Sequence, residues 1–298
     1  MTEITKPGGR FTLSGTDISL NRIGYGAMQL AGPGVWGPPK DVDVAVAVLR
    51  EAVALGVNHI DTSDFYGPHV TNQIIRQALA PYPDDLTIIT KVGYRRGDNQ
   101  SWISALSADE ITSAVHDNLT NLGVEALDVV NLRVGGPAGP TKRSIAEPLE
   151  ILAGLKEKGL VRHIGLSNVS PDQFDEGRSI TDIVCVQNQY NLKFRGDDAF
   201  IDDLAGQGVA YMPFFPLGGF TPVQSAILVA AAESLEATPI QVAIAWLLQR
   251  SPNILPIPGT SSVSHLRENL AAPDITLTPE ILTDLDSIAI NNAKPHAA

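Results

Sequence analysis

The chain has 298 residues, which is long for one ordinary domain and normal for an α/β barrel. Its formal net charge of −12 argues against nucleic acid or a membrane surface as a partner, because both are polyanions that would repel it. The single cysteine, Cys185, excludes an intramolecular disulfide, and no apolar run is long enough to span a bilayer. These features predict a cytoplasmic protein, since thiols stay reduced in that compartment.

Short apolar segments alternate with helical patterns along the chain. The segments 11–13 and 18–20 flank the turn-forming residues Ser14-Gly15-Thr16-Asp17 and predict a short N-terminal β-hairpin. Eight further apolar runs predict the strands of a parallel sheet, at residues 23–26, 57–61, 86–91, 127–132, 161–166, 183–187, 209–213 and 254–257.

The connections between these strands carry helix start signals. Ser107 and Glu110 form a capping box ahead of apolar residues at helical spacing. Ser170 and Thr238 each precede a proline at the first helical position. Eight strand–helix units close into a barrel, and no linker interrupts them. The sequence therefore predicts an α/β fold, a (β/α)8 TIM barrel with a short N-terminal β-hairpin, as a single domain over residues 1–298.

Three polar residues lie at the ends of neighbouring predicted strands. Asp61 and Lys91 end two apolar strands, and Tyr66 lies in the loop after Asp61. Because the carboxyl ends of parallel barrel strands share one face, we expect the acid, the amine and the phenol to lie together. An ammonium stabilises a nearby tyrosinate, so Tyr66 is a candidate proton donor, with Asp61 holding Lys91 in its charged form. If each residue is considered alone, Asp61 is interpreted as a cap at a strand end, Tyr66 as a half-buried loop aromatic and Lys91 as a solvated side chain.

Further hydrogen-bonding groups follow the later strands. Ser167, Asn168 and Gln187 offer partners for a carboxamide, and Phe214 offers a face for a flat ring. After the last strand, Gly259-Thr260-Ser261-Ser262 leads into a predicted helix whose N-terminus is an anion site or a simple N-cap.

In order and spacing, these motifs resemble the aldo-keto reductase family over essentially the whole chain. The segments that carry the resemblance are 56–62, 66, 89–91, 165–168, 187 and 257–269. The resemblance implies that NADP(H) binds in an extended pose without a Rossmann domain, and the sequence has no Gly-x-Gly-x-x-Gly that directly joins a strand to a helix. It also implies carbonyl reduction, in which Tyr66 gives a proton to the carbonyl oxygen and Asp61 and Lys91 tune that tyrosine.

The resemblance further implies which residues bind the cofactor. Ser167, Asn168 and Gln187 match the family's carboxamide binders, and Phe214 matches the ring that stacks on the nicotinamide. Glu268 and Asn269 match the pair that contacts adenine. The complete expected set is Met28, Ser167, Asn168, Gln187, Phe214, Leu217, Gly218, Gly259, Thr260, Ser261, Ser262, His265, Arg267, Glu268 and Asn269.

Two parts of the chain depart from the family pattern. Arg133 stands where the family has a catalytic histidine, and arginine cannot relay a proton. We expect Arg133 to act as a fixed cation that orients the substrate; the alternative is a structural ion pair. In the phosphate segment, Gly259 and His265 replace a lysine and an arginine, which leaves 260–262, His265 and Arg267 to hold a 2′-phosphate.

Within the family, the segments 24–30, 67–72, 130–133 and 214–220 resemble those of members that reduce pyridoxal. This implies a small aldehyde substrate, bound beside the catalytic residues by Trp36, His69 and Phe220. No Cys/His/Asp/Glu cluster has metal-ligand spacing, so no metal is expected.

Two other functions fit the same residues. One is a broad-specificity aldehyde or ketone reductase, which comparison of pyridoxal with simple aryl aldehydes would distinguish. The other is a cofactor-binding regulatory protein, for which the lost histidine is the argument. Against the regulatory function, Asp61, Tyr66 and Lys91 are all present, and a binding module has no need of a tuned phenol. The sequence makes no prediction about oligomeric state.

Overall fold

The computed structural model describes residues 8–136, 139–219, 223 and 225–292 of the chain. Strands β1 (Arg10–Thr12) and β2 (Ser19–Asn21) pair antiparallel, so the expected N-terminal hairpin is confirmed. Leu13 and Leu20 are fully buried and pack against the barrel interior. The hairpin thereby closes the end of the barrel at which the strands begin.

The hairpin is followed by the strands of the main body. They are β3 (Tyr25–Gly26), β4 (His59–Asp61), β5 (Thr87–Val92), β6 (Tyr94–Arg96), β7 (Trp102–Ser104), β8 (Leu127–Arg133), β9 (Val161–Ser167), β10 (Ile183–Gln187) and β11 (Ala210–Tyr211). One parallel sheet runs in the order β11, β10, β9, β8, β5, β4 and β3. The segment 253–258 fills the gap that remains between β11 and β3, where it forms hydrogen bonds to both sides.

Backbone hydrogen bonds across this gap close the sheet into a barrel. Tyr211 N donates to Asn253 O at 2.8 Å, and Leu255 N donates to Tyr211 O at 2.9 Å. On the opposite side, Gly24 N donates to Pro256 O at 3.0 Å. The segment 253–258 therefore takes the place of the eighth strand, and the predicted (β/α)8 barrel is confirmed.

Helices surround the sheet. They are α1 (Val42–Ala54), α2 (Val70–Leu79), α3 (Ala108–Leu122), α4 (Ala146–Glu157), α5 (Pro171–Arg178), α6 (Asp198–Gly206), α7 (Ala226–Ser234), α8 (Pro239–Arg250), α9 (Val263–Leu270) and α10 (Pro279–Asn292). Ser107, Ser170 and Thr238 each cap a helix through a reciprocal capping box, as their sequence context predicted. Thus the start signals of α3, α5 and α8 are confirmed.

The alternation of side chains along a strand decides which of them point into the barrel at its carboxyl end. On β5, Ile88 packs outward against the helix layer, whereas Ile89 packs against the barrel interior. Thr90 also points outward, where its hydroxyl donates to Asn118 on α3. Lys91 therefore points inward at the carboxyl end of its strand.

The antiparallel hairpin β6–β7 was not predicted from the sequence. It lies in the connection between β5 and α3, with Arg96 paired to Trp102 and Tyr94 paired to Ser104. Its central residues 97–101 are polar, so the segment lacks the apolar alternation that marks a strand. Packing against neighbouring loops stabilises the hairpin instead.

No single helix of the described chain is both long and apolar enough to cross a membrane, although α7 and α8, which meet at a bend of 92°, satisfy that test as a pair. The single-domain boundaries at residues 1 and 298 stay a prediction.

Candidate active site

Asp61 and Lys91 form a buried ion pair at the carboxyl ends of β4 and β5. Lys91 Nζ donates to Asp61 Oδ1 at 2.6 Å and to Thr62 O at 2.9 Å. Lys91 is only 2% exposed and Asp61 only 4% exposed. Burial acts to lower the pKa of Lys91, but the interactions with Asp61 and Tyr66 outweigh it, so the pKa of Lys91 is raised. The amine is therefore held in its charged form.

Tyr66 lies beside this pair, in the loop between β4 and α2. Lys91 Nζ is 5.3 Å from the centroid of the Tyr66 ring. The ring also packs edge-on against Phe65, with centroids 5.4 Å apart. The structure thus brings together the acid, the amine and the phenol that the strand ends predicted.

Arg133, at the end of β8, is a further charged residue at this end of the barrel. Its Nη1 donates to Ser167 Oγ at 3.4 Å. Its guanidinium carbon lies 5.0 Å from the Phe214 ring centroid and 5.7 Å from that of Tyr94. Burial lowers the pKa of Arg133, while Tyr66 and other nearby groups act in the opposite direction. No carboxylate salt bridge to Arg133 is present within the described residues, which leaves its charge for a ligand.

Tyr66 and Arg133 face a cavity of about 310 Å³, here called the aromatic cavity. Most of its lining is apolar or aromatic. The lining residues are Met28, Phe65, Tyr66, Lys91, Tyr94, Trp102, Arg133, Gly136, Gly139, Asn168, Gln189, Phe214 and Phe215. A cavity of this size and character suits a small flat molecule with a few polar groups.

Several lining residues were missed by sequence reasoning. Tyr94 and Trp102 come from the β6–β7 hairpin, which had no strand signal. Phe65 directly precedes Tyr66 in the chain, and this adjacency was its available signal. Gln189 and Phe215 follow strand ends, and that position in a barrel was their available signal.

A second cavity of about 360 Å³ adjoins the first and is here called the cleft. Met28, Tyr66, Phe214 and Phe215 line both. Its other lining residues are Gly26, Gln29, Asp61, Pro216, Leu217, Gly219, Ile257 and Gly259. Tyr66 therefore stands at the junction of two adjoining spaces, one aromatic and one running toward the last strand.

Glycine is required where two chain segments approach each other at the floor of the cleft. A Cβ on Gly259 would lie 2.6 Å from Gly26 O, and one on Gly26 would lie 2.5 Å from Ile257 O. Gly218 has φ +100 in a turn that Gly218 N closes by donating to Phe215 O at 2.9 Å. These contacts account for Gly259 in place of a larger residue.

The predicted carboxamide binders lie at the ends of β9 and β10. Gln187 Nε2 donates to Asp61 Oδ2 at 2.7 Å, while its Oε1 is buried and accepts no hydrogen bond from any described residue. Asn168 adopts φ +57, a left-handed conformation that asparagine tolerates, and its Nδ2 donates to Gly136 O at 2.6 Å. Ser167 is fully buried beside them. Gln187 Oε1 is thus an acceptor still available to a ligand amide.

The predicted phosphate segment forms the start of α9. Ser262 caps the helix by accepting from His265 N at 3.5 Å, and Thr260 Oγ1 accepts from Ser262 N at 3.1 Å. The side chains of Ser261 and His265 are exposed. Ser261 also lines a surface cavity of about 400 Å³ that includes Lys40, a cation that sequence reasoning did not single out.

The remaining residues of α9 have protein partners. Arg267 forms an ion pair with Glu51 on α1, at 2.8 Å from both Nε and Nη2 to Oε1. Glu268 accepts a hydrogen bond from the Thr238 hydroxyl, and Asn269 is 3% exposed. Arg267 is therefore already paired in the absence of a ligand phosphate.

The structure does not bring two of the predicted substrate residues to the aromatic cavity. Trp36 packs against Arg96, whose guanidinium carbon is 5.3 Å from the Trp36 ring, and is not part of the cavity lining. His69 precedes α2 with φ +65 and also lies outside the lining. Phe220 lies outside the described residues. Across the part of the chain that is described, no group of three or more His, Cys, Asp or Glu residues could hold a metal ion.

A (β/α)8 barrel with a buried Asp–Lys–Tyr arrangement at the carboxyl ends of its strands defines a class of oxidoreductase. The chain belongs to the aldo/keto reductase family, whose family model matches residues 22–290.

Individual relatives agree with this membership. Pyridoxine 4-dehydrogenase of Escherichia coli (strain K12) is 66% identical over 273 residues, covering 91% of this chain and 96% of that protein. An uncharacterized oxidoreductase of Schizosaccharomyces pombe is 38% identical, covering 91% of this chain and 87% of that protein. The crystal structure of the thermostable aldo-keto reductase Tm1743 with the inhibitor epalrestat aligns with a TM-score of 0.79 at 28% identity, covering 94% of this chain and 99% of that one.

Proposed function

We propose that this protein reduces pyridoxal to pyridoxine with NADP(H), and that Tyr66 is the proton donor. The observation that carries the proposal is the position of Tyr66. This residue lies at the junction of the aromatic cavity and the cleft, with its ring centroid 5.3 Å from Lys91 Nζ. The substrate follows from the name and 66% identity of the Escherichia coli relative.

Residues at the ends of β9 and β10, together with Phe214 in the wall of the cleft, fit a nicotinamide cofactor. Gln187 Oε1 is a buried acceptor without a partner among the described residues, and a carboxamide NH₂ would satisfy it. Ser167 and Asn168 would add hydrogen bonds to the same group, and the exposed face of Phe214 would support the flat ring. When bound, NADPH supplies the hydride; the protein orients the reacting groups and supplies the proton.

The proton would come from Tyr66. General acid catalysis needs a donor within reach of the carbonyl oxygen, and among the described residues Tyr66 is the hydroxyl-bearing side chain that lines both cavities. Lys91 stabilises the phenolate that remains after proton transfer, because its charge is held beside the ring by Asp61. Burial of the Asp61–Lys91 pair excludes water, which strengthens this interaction.

Arg133 would take over the substrate-orienting part of the family histidine's role. Its guanidinium is fixed between Phe214 and Tyr94, and it is a permanent cation that cannot exchange protons. A pyridine ring with hydroxyl groups suits such a site, since the aromatic side chains offer faces and Arg133 and Gln189 offer hydrogen-bond donors.

A broad-specificity aldehyde reductase is the second candidate. It is favoured by the largely apolar lining of the aromatic cavity, which would accept other flat aldehydes. A regulatory role is less well supported, because a cofactor-binding module has no use for the buried Asp61–Lys91 pair beside Tyr66. A cytoplasmic location also stays a prediction.

The test is NADPH oxidation by purified protein with pyridoxal, followed at 340 nm. We expect turnover that falls by at least about 100-fold in Tyr66→Phe, the usual contribution of general acid catalysis. The control is Tyr82→Phe, because the Tyr82 hydroxyl donates to Leu122 O at the far end of the barrel and touches neither cavity. Turnover of pyridoxal no faster than that of unrelated aldehydes would favour the second candidate, and full activity of Tyr66→Phe would refute the mechanism.

A further inference from the structure

The guanidinium of Arg96 lies between two indole rings at the outer edge of the aromatic cavity. Its Cζ is 4.1 Å from the Trp102 ring centroid and 5.3 Å from that of Trp36. The register of the β6–β7 hairpin places Arg96 directly opposite Trp102. A planar cation in contact with two aromatic rings is held by cation–π attraction as well as by packing.

The same guanidinium ties two loops together through hydrogen bonds. Nη1 donates to Val35 O at 2.7 Å, and Nη2 donates to Gly34 O at 3.0 Å and to Gln100 O at 2.9 Å. Val35 has φ +57, an unfavourable conformation for a β-branched residue, which persists only where the surroundings enforce it. Arg96 therefore helps to enforce the conformation of the loop 33–36.

This loop is also connected to the residue that follows Tyr66. Gly67 N donates to Val35 O at 3.3 Å, and Gly37 N donates to Gly67 O at 2.8 Å. The side chain of Val35 is buried in a cluster with Phe65 and Tyr66. These contacts do not involve the Arg96 side chain, so the loop 33–36 stays attached to the Tyr66 loop when Arg96 is replaced.

Of the groups that Arg96 contacts, Trp102 is the one in the cavity wall. It lines the aromatic cavity and packs edge-on against Phe65, with centroids 5.7 Å apart. Yet Trp102 is 37% exposed, so burial alone does not decide its orientation. The contact with Arg96, at 4.1 Å, therefore adds to the contact with Phe65 in holding the indole against the cavity.

We propose that Arg96 is a positioning residue that holds Trp102 as the outer wall of the aromatic cavity and so sets the preference for flat aromatic aldehydes over small aliphatic ones. The proposal rests on the proposed reductase function. It explains why the site needs an arginine here, since lysine lacks the planar face and the fork of donors that contact two rings and three carbonyls at once.

The test compares Arg96→Met and Arg96→Lys with the control Arg95→Met. Arg95 is the neighbouring residue on β6, but its side chain points away from the cavity, is 56% exposed and pairs only loosely with Glu110 at 3.4 Å. Steady-state kcat and KM are measured for pyridoxal and for propanal, which has no ring to pack against Trp102. We expect KM for pyridoxal to rise about tenfold in both Arg96 variants, equivalent to ~1.4 kcal/mol, with kcat changed less than about twofold.

The same variants should leave kcat/KM for propanal unchanged, and Arg95→Met should behave as the parent protein. A general loss of structure would instead reduce turnover of both aldehydes. Equal losses for pyridoxal and propanal, or an unchanged KM for pyridoxal, would overturn the proposal. If Arg96→Met fails to fold, the comparison of Arg96→Lys with the parent decides the question.

A double-mutant cycle with Trp102→Leu tests the connection between the two residues. If Arg96 acts through Trp102, then Trp102→Leu alone raises KM for pyridoxal, and adding Arg96→Met raises it no further. Fully additive effects would show that Arg96 acts by another route and would overturn the proposal.

The outcome can be separated from that of the proposed function. If the parent protein reduces benzaldehyde but not pyridoxal, the substrate assignment fails and the same comparison is made with benzaldehyde. Equilibrium binding of pyridoxine, followed by tryptophan fluorescence, gives the comparison without any turnover. Affinity for pyridoxine or for benzyl alcohol that falls about tenfold in Arg96→Met would support the proposal, and unchanged affinity for both would contradict it.

Discussion

Gln187 Nε2 donates to Asp61 Oδ2 at 2.7 Å, on the opposite side of the carboxylate from Lys91, which donates to Oδ1 at 2.6 Å. Each oxygen of Asp61 is therefore engaged by a side chain from a different strand. The contact also orients the Gln187 amide, so that Oε1 is the atom left for a ligand. One buried carboxylate thus connects the charge beside Tyr66 with the group proposed to hold the nicotinamide.

We expect Lys91→Met to destabilise the protein and to abolish turnover. Removal of one partner leaves Asp61 as an uncompensated buried charge, which costs about 3–5 kcal/mol of unfolding free energy. Urea denaturation measures this loss. The double variant Asp61→Asn/Lys91→Met should recover part of the stability, since it removes the orphaned charge. A denaturation midpoint equal to that of the parent protein in Lys91→Met would mean that the pair does not matter for stability.

We expect Arg133→His to introduce a new limb into the pH–rate profile between about pH 5 and 8, because histidine titrates in that range and arginine does not. In the parent protein, residue 133 should contribute no titration to the pH–rate profile in this range. Arg133→Ala should raise KM for pyridoxal about tenfold, since a hydrogen bond to a charged group is lost. The measurements are kcat and kcat/KM from pH 5.5 to 9; unchanged values for Arg133→Ala would exclude a role in orienting the substrate.

Asp64 should make the protein less stable as the pH rises. Burial raises the pKa of Asp64 to about 8, and the charge of Asp117 acts in the same direction. In the unfolded chain the carboxyl loses its proton near pH 4, so between about pH 4 and 8 the folded state binds the extra proton. Unfolding free energy then falls with rising pH, by at most about 1.4 kcal/mol per pH unit.

The matched variant for this prediction is Asp64→Asn, which keeps the acceptor for the Ser63 hydroxyl and cannot ionise. Urea denaturation at a series of pH values should show a weaker decline for Asp64→Asn than for the parent. Parallel stability curves for the two proteins across pH 4 to 8 would argue that Asp64 is ionised in the folded state.

The Arg267–Glu51 ion pair predicts how cofactor selectivity is set. If Arg267 binds the 2′-phosphate, Arg267→Ala should raise KM for NADPH about tenfold and leave KM for NADH unchanged. Glu51→Ala should lower KM for NADPH, because the competing carboxylate is removed. The pair is exposed, so neither change should alter stability by more than ~1 kcal/mol. Equal effects on both cofactors would assign the 2′-phosphate to other groups.

Local patterns were sufficient to place Asp61, Tyr66 and Lys91 together. Asp61 and Lys91 end apolar strands separated by one helix, so parallel topology alone brings them to one face of the barrel. The structure also places Arg133 opposite Ser167 across β8 and β9, a pairing that the sequence analysis did not predict. The hairpin β6–β7 was missed because its pairing depends on contacts with other loops.

The sequence by itself determined the barrel and the residues at its strand ends, because strand alternation and parallel topology are short-range rules that fix where such side chains point. Only the tertiary structure decided how the loops are arranged. It placed Trp102 in the cavity wall and Trp36 against Arg96, and it paired Arg267 with Glu51 across two helices. Those outcomes depend on contacts between residues distant in the chain, where packing and hydrogen bonding select one conformation among many that the local sequence allows.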